Sequence, residues 1–415
     1  MSRSINKKKI INDPIYGFVS VPGELTFELI EHPYFQRLRH IKQLGLTEFI
    51  YPGAIHTRFN HALGAMHLMG RTLDNLRSKG IEISDKEYEA AQIAILLHDI
   101  GHGPFSHALE ETLLNQVSHE SISFQFMKEL NGAFNKQLEL TLQIFQNTYK
   151  RRFFHQLVSS QLDIDRLDYL QRDCFFTGVN EGSIGVDRII AMLNVVNDQL
   201  VVDEKGIYSI ENFLNARRLM YWQVYLHKTA VSAERMLINL IRRAQYLVQS
   251  GQRLTCSNAL SFFIENSYTL DDFKQKKVLE SFGRLDDNDI WGAIKIWQNH
   301  PDKILSTLCL MLLERRLFRV TLTSTPIQKK AIETVRSEIT TRFKVLRKEA
   351  SFLFSHGVVS NEAYISEGKG ISILTRKGEL VDIAQASDLP NVKALSKIVK
   401  KSYLCYPKNV SLSRN

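Results

Sequence analysis

The chain has 415 residues, more than one average domain, so a large core with an appended part, or two domains sharing an interface, is expected. Its composition, 44% hydrophobic and 23% charged, is that of a globular protein and excludes disordered, fibrous and low-complexity classes. A formal net charge of +9 admits nucleic acid, a membrane surface or small polyphosphates as partners and does not choose among them.

The N-terminal MSRSINKKKIIND is charged with no apolar run behind it, so neither a signal peptide nor a membrane anchor is expected. No window approaches the length of a bilayer span. Cys174, Cys256, Cys309 and Cys405 are too far apart for a zinc knuckle or a redox motif, which implies buried thiols in a reducing compartment and a cytoplasmic location.

The segment DPIYG reads as a turn or short strand. Ser84 precedes DKEYEA with Glu87 three residues on, a capping box, and YEAAQIAILL follows with helical spacing. Helical patterns recur at 186–196 and 232–248, and in a more polar form between Ser257 and Pro301. The STP sequence at Ser324 interrupts a helical run. From Ala363 the text alternates around Gly368, Gly370 and Gly378, which predicts β-hairpins. The expected fold is mainly α with a smaller α/β C-terminal part.

Six of the thirteen histidines, His61, His67, His98, His102, His107 and His119, fall between positions 61 and 119. A lone histidine is more often solvated or hydrogen-bonded than a ligand, but the surrounding text changes that reading. In AILLHDIGHGPFSH an apolar helix presents His98 and Asp99 together before Gly101 and Gly103 end it, and a buried charge there needs a compensating partner. RFNHALGAMHLMG offers His61, and LDIDRLDYLQRD offers Asp163, Asp165, Asp168 and Asp173 on a helix that puts Asp165, Asp168 and Tyr169 on one face. Taken alone, the latter reads as a salt-bridged solvent face.

The order H…HD…D, filled by His61, His98, Asp99 and Asp165, resembles the metal signature of the HD-domain superfamily. The strings FQRLRHIKQLG, TRFNHALG, HDIGHGPFSH and DIDRLDYLQRD resemble, more specifically, the branch of dNTP triphosphohydrolases that joins a sterile-alpha-motif to an HD domain. The resemblance covers roughly residues 5 to 250, without the sterile-alpha-motif itself. It implies an HD-domain catalytic core over 1–255, beyond which the changes of pattern mark off a helical extension over 256–324 and a C-terminal α/β region over 325–415.

It further implies one divalent ion on His61, His98, Asp99 and Asp165, a donor set that does not distinguish Mn, Fe, Mg, Ni or Zn. The catalytic residues implied are His102, His107, His119 and Glu110, the last standing where the family has Asp. Arg58, three residues before His61, points to the same side of a helix and can clamp phosphate bidentately. By the resemblance, Arg217 and Tyr225 match phosphate- and sugar-contacting positions, Tyr169 and Asp173 surround the deoxyribose, and Gln43 and Leu44 read the sugar. Arg166 replaces a phosphate-binding lysine, keeping charge but not shape.

Glu31 (Asp in the family), Gln36, Arg39, His227 and Lys228 match contacts to a regulatory nucleotide at subunit interfaces. The implied partners are deoxynucleoside triphosphates, an activating GTP or dNTP, and further copies of the chain in a dimer or tetramer. The implied reaction releases deoxynucleoside and inorganic triphosphate. Two alternatives stand beside it: another phosphate ester, such as a nucleoside monophosphate, on the same metal chemistry, or a nucleic-acid-binding protein on an HD scaffold, supported chiefly by the basic charge and disfavoured by the full ligand set. No membrane partner is expected.

Overall fold

A computed structural model describes residues 9–114, 117–361, 370–389 and 399–410. The chain is 58% helical, and the mainly α reading with a smaller sheet part holds. Among the described residues, no helix is long and apolar enough to cross a membrane.

Three helices place the ligand-type residues. Arg58–Ser78 begins at Thr57, whose backbone N–H and hydroxyl both donate to Asn60 Oδ1, at 3.0 and 2.9 Å. Asp85–Leu97 begins with the expected capping box: Ser84 N–H donates to Glu87 Oε2 at 2.9 Å and Glu87 N–H returns to Ser84 Oγ. Ile164–Thr177 is capped by Asp163 and ends at Gly178, whose φ of +71° suits glycine. The first packs on both others. Its close approach to the third requires Gly64, where a Cβ would stand 2.1 Å from both Asp168 Oδ1 and Arg172 Nη2.

The DPIYG segment is the turn between strands Ile10–Asp13 and Gly17–Ser20. Two helical expectations are corrected. The helix expected over 186–196 ends at Met192, and Leu193–Val196 pairs antiparallel with Gln199–Asp203. Asn197 and Asp198, at φ +52° and +56°, form the two-residue turn, and β-branched Val195 and Val196 favour the strand. The run before Ser324 likewise ends in a strand, Arg319–Thr323, rich in β-branched residues and paired with Val399–Tyr406.

Gln199–Asp203 continues into Ser372–Leu374 and Leu380–Asp382, the latter two joined through Gly378 at φ +82°. That is the hairpin expected of the tail; residues 363–369 lie outside those described. The sheets therefore stitch the C-terminal part to the strands at 193–203 and at 319–323. Trp297, Phe263, Phe273 and Phe282 in the middle region are fully buried in one hydrophobic cluster with the ligand-bearing helices.

Candidate metal centre and active site

The apolar helix Asp85–Leu97 ends with His98 in the capping position and Asp99 next, while His61 lies one turn into Arg58–Ser78 and Asp165 opens Ile164–Thr177. Three chain ends thereby converge. His61 Nε2 is 3.1 Å from Asp165 Oδ1 and 3.9 Å from Asp99 Oδ2; His98 Nε2 is 3.3 Å from Asp99 Oδ1 and 3.4 Å from Asp165 Oδ1.

The far side of each imidazole is committed. His61 Nδ1 meets Asp168 Oδ2 at 2.7 Å and His98 Nδ1 meets the Ile95 carbonyl at 2.6 Å, so each Nδ1–H donates outward and each Nε2 turns inward. Both Nε2 atoms are buried and face the carboxylates of Asp99 and Asp165. Two ring nitrogens and two carboxylates facing one point attract positive charge, a proton where no cation is bound. Burial opposes a charged His61, yet the hydrogen bonds and charges of Asp165 and Asp168 prevail and lift it to about 10, and a metal would take the place of that proton on Nε2. His98 is raised too: burial is outweighed by Asp99 and Asp165. These residues fit a divalent metal, the two imidazoles and two carboxylates being borderline ligands suited to first-row ions or magnesium.

Behind the ligands lies a buried ion network. Asp168 takes Arg172 Nε and Nη2, both at 2.9 Å, while Arg172 Nη1 donates to Asp13 at 2.8 Å. Asp168 is held down at about 2: burial opposes ionisation, but Arg172 and His61 overcome it.

Beyond Asp99 the chain turns through Gly101, where a Cβ would stand 2.2 Å from Ser123 N, so glycine admits the helix His119–Ala133. His102 Nε2 is 3.4 Å from Asp99 Oδ1, and its ring stacks on His119 at 3.7 Å. Glu110 anchors His119 by accepting its backbone N–H at 2.8 Å and facing Nδ1 at 3.3 Å. Burial, Arg58 and His119 together drive His102 well below its ordinary value, leaving a neutral ring that donates hydrogen bonds rather than carrying charge. The His107 side chain lies outside the described residues. Asp99, His102 and His119 form a second group of ligand-type atoms sharing Asp99 with the first.

Arg58 was expected to clamp phosphate from the same helical side as His61. It is buried, pairs with Asp99 through Nη1, and sends Nε and Nη2 to Ser106 Oγ at 2.9 and 2.7 Å.

A wall of aromatic and acidic groups extends from the ligands. Tyr169 lies edge-on to His61 at 6.4 Å and to Tyr225 at 6.3 Å, and Tyr225 donates its hydroxyl to Asp173 at 2.7 Å. The other Asp173 oxygen is 2.8 Å from His56 Nε2. Gln43 joins this wall through the backbone: its N–H donates to the His56 carbonyl at 3.0 Å, and its buried Oε1 has no donor among the described residues. Leu44 follows, half-buried against the core. Arg217 Nη1 donates to Gln161 Oε1 at 3.1 Å, and Gln161 lines, with Arg166, a cleft of about 730 Å³ that runs to the strands Gln199–Asp203 and Leu380–Asp382. Arg166 pairs with Asp163 and keeps a buried Nε without an acceptor among the described residues.

The regulatory candidates fall in two places. Glu31 is exposed at the end of helix Glu24–Glu31; Gln36 donates to the Ile30 carbonyl at 2.7 Å and accepts Arg39 Nε at 2.7 Å; Arg39 lies over the Phe59 ring. Phe35 and Leu38 point inward. His227 caps the helix Lys228–Gln249, accepting from Thr229 N–H, and Lys228 is its first residue.

His56, Ser106, Arg172 and Asp13 were missed by sequence reasoning. His56 sits within AIHTRFNH, five residues before His61, and Arg172 stands four residues after Asp168 on one helix face, signals that could have drawn notice; Ser106 and Asp13 act through partners far off in sequence.

Comparison with known proteins agrees with this geometry. An HD domain profile matches residues 58–173 and an HD associated region profile matches 184–262. The uncharacterized protein YwfO of Bacillus subtilis is 32% identical, covering 98% of this chain and 94% of that protein. The deoxynucleoside triphosphate triphosphohydrolase SAMHD1 homolog of Dictyostelium discoideum is 30% identical over 67% of this chain, which spans 59% of that protein. A crystal structure of a phosphohydrolase from Bacteroides thetaiotaomicron is 51% identical, covers 97% of this chain and 100% of its own, and superposes with a TM-score of 0.93. The chain belongs to the HD-domain family and is a phosphohydrolase of that family.

Proposed function

We propose that the chain hydrolyses deoxynucleoside triphosphates to deoxynucleoside and inorganic triphosphate. The observation that carries this reading is the wall from His61 through Tyr169 and Tyr225 to Asp173, which offers a ring face and a carboxylate beside the positive charges of Arg166 and Arg217, both close enough to act on Tyr169. The relative named as a deoxynucleoside triphosphate triphosphohydrolase supports the same substrate class.

In this mechanism His61, His98, Asp99 and Asp165 would hold one divalent metal, which would supply Lewis-acid activation of water and phosphate. Arg166 and Arg217 neutralise the polyphosphate, and His102, neutral and braced on His119 by Glu110, donates a hydrogen bond where charge develops. His107 joins them as a further candidate donor. Arg58 reaches phosphate only in part, since its guanidinium holds Asp99. Gln43 and Leu44 close the sugar side; exclusion of a 2′-hydroxyl by a packed backbone makes deoxyribose the preferred sugar.

The expected product from each dNTP is inorganic triphosphate, with NTPs turned over far more slowly; stepwise orthophosphate, or dNTPs left intact while a nucleoside monophosphate is cleaved, overturns the reading. A second check concerns Tyr225→Phe. Removing a hydroxyl bonded to a buried carboxylate costs about 1.5–3 kcal/mol of stability, so Tyr225→Phe should melt several degrees lower, and KM for a dNTP should rise with little change in kcat if the Tyr225–Asp173 pair faces the sugar. An unchanged KM would remove Tyr225 from the substrate wall.

We further propose that Glu31, Gln36 and Arg39 with His227 and Lys228 receive an activating GTP or dNTP where copies of the chain meet, in a dimer or tetramer. The core, extension and C-terminal region divide near 255 and 324, and the protein works in the cytoplasm. Nucleic acid is a disfavoured partner. Activity that rises with added GTP together with a change in sedimentation would support regulation; rates and mass both indifferent to nucleotide would refute it.

A further inference from the structure

The loop carrying Ser106 is held from outside the ligand-bearing helices. Phe105 and Ser106 both have positive φ, +52° and +53°, which non-glycine residues rarely adopt without support from their surroundings. Phe105 N–H donates to Asp287 Oδ1 at 2.8 Å, and Lys42 N–H donates to Asp287 Oδ2 at 2.9 Å. Asp287 is 3% exposed and opens the helix Asp287–Trp297, beyond the residues matched by either family profile.

Both loops that Asp287 holds end on Arg58. Lys42 forms an antiparallel bridge with Thr57, and Arg58 N–H donates to the Ile41 carbonyl at 2.9 Å, so this loop fixes the start of the helix that bears Arg58 and His61. On the other side Ser106 Oγ accepts two bonds from the Arg58 guanidinium, whose remaining arm holds Asp99. A parallel tie runs through Arg37, which donates to the Leu285 carbonyl at 2.9 Å and to the Ile100 carbonyl, next to Asp99, at 2.7 Å.

We propose that Asp287 is a positioning residue of the active site: its two carboxylate oxygens fix the Lys42 and Phe105 backbones so that Ser106 and Arg58 hold Asp99 in place. The proposal rests on the HD phosphohydrolase assignment and not on the choice of substrate.

A carboxylate is needed because two backbone N–H groups approach it. An amide offers one acceptor oxygen and would aim its NH2 at the other N–H. The arrangement opposes stability. Burial lifts Asp287 to about 6, against the bonds from Lys42 and Phe105; around it stand Lys42 on the held loop, Asp286 on its own helix, and Arg37, itself beside Asp286, Asp289 and Arg58, while His40 faces Asp286. A carboxyl raised in the folded state stabilises the fold most below its unfolded value near 3.8, and that contribution is lost as pH rises through 6. The form that makes both bonds is the ionised one. Stability and positioning therefore run in opposite directions with pH, whereas a purely structural group would move them together.

The test uses the full chain loaded with Mn2+, comparing wild type with Asp287→Asn and Asp287→Glu. For Asp287→Asn, Mn2+ affinity by calorimetry and kcat should each fall about 10-fold to 100-fold, as for other groups that orient ligands, with KM changed less than about threefold. Its melting temperature relative to wild type should become more favourable from pH 4.5 to pH 8. Asp287→Glu, which keeps two acceptors, should recover part of the loss. Mn2+ affinity and kcat within twofold of wild type, or losses that track a pH-independent drop in melting temperature, would overturn the proposal. Because Mn2+ affinity is read without substrate, failure of the dNTP reading leaves this test intact.

Discussion

His98→Ala and Asp99→Ala proteins are expected to lose bound metal and to turn over substrate more than about 100-fold slower than wild type, since removing mere outer partners of a ligand already costs 10-fold to 100-fold. The two variants should differ in stability. The His98 ring bonds the Ile95 carbonyl and faces Asp99 and Asp165, while the Ser123 hydroxyl that secures this turn binds the His98 backbone and survives loss of the ring. His98→Ala should therefore melt below wild type but less far than Asp99→Ala. Asp99 is the partner of the buried Arg58 guanidinium, so Asp99→Ala leaves an uncompensated buried charge and should melt several degrees lower. Metal content by elemental analysis, turnover and circular dichroism melts decide the matter. Full activity or full metal occupancy in either variant would sink the assignment.

What could be read from the sequence depended on how local the cause was. His98 and Asp99 were legible because an apolar run followed by two glycines announces a buried helix end, and Ser84 with Glu87 announced its start. His61 and Asp165 needed the resemblance, for nothing in their own segments says that helices 100 residues apart meet; Gly64, which permits that meeting, looks like any helical glycine. The positive φ of Phe105 and Ser106 is invisible in PFSH, because Asp287 imposes it from 182 positions away. The spacing put Arg58 on the His61 side of its helix, whereas its pairing with Asp99 depends on that same turn. The strands at 193–196 and 319–323 were missed because apolar spacing was weighed above β-branching, although Asn197 and Asp198 spelled a hairpin turn.

The second large effect is expected at a residue that touches no substrate. Asp168→Ala removes the common partner of His61 Nδ1 and of the fully buried Arg172, leaving Arg172 with Asp13 as its remaining named carboxylate. Breaking one partner from a buried ion network typically costs about 3–5 kcal/mol, because the charge left behind has no water to turn to. Metal affinity should fall as well, about 10-fold to 100-fold, since His61 loses the acceptor that fixes its tautomer. Asp168→Asn should be milder in both respects, its amide oxygen still able to accept from His61 while the paired bonds to Arg172 are halved. Gly64→Ala provides an independent route to the same failure, because the added methyl would displace Asp168 and Arg172 without altering either. If Asp168→Ala kept both its denaturation midpoint and its Mn2+ affinity, the network would be incidental to the centre. If stability fell and affinity did not, Asp168 would serve the fold alone, and orientation of His61 would have to come from the packing of its helix.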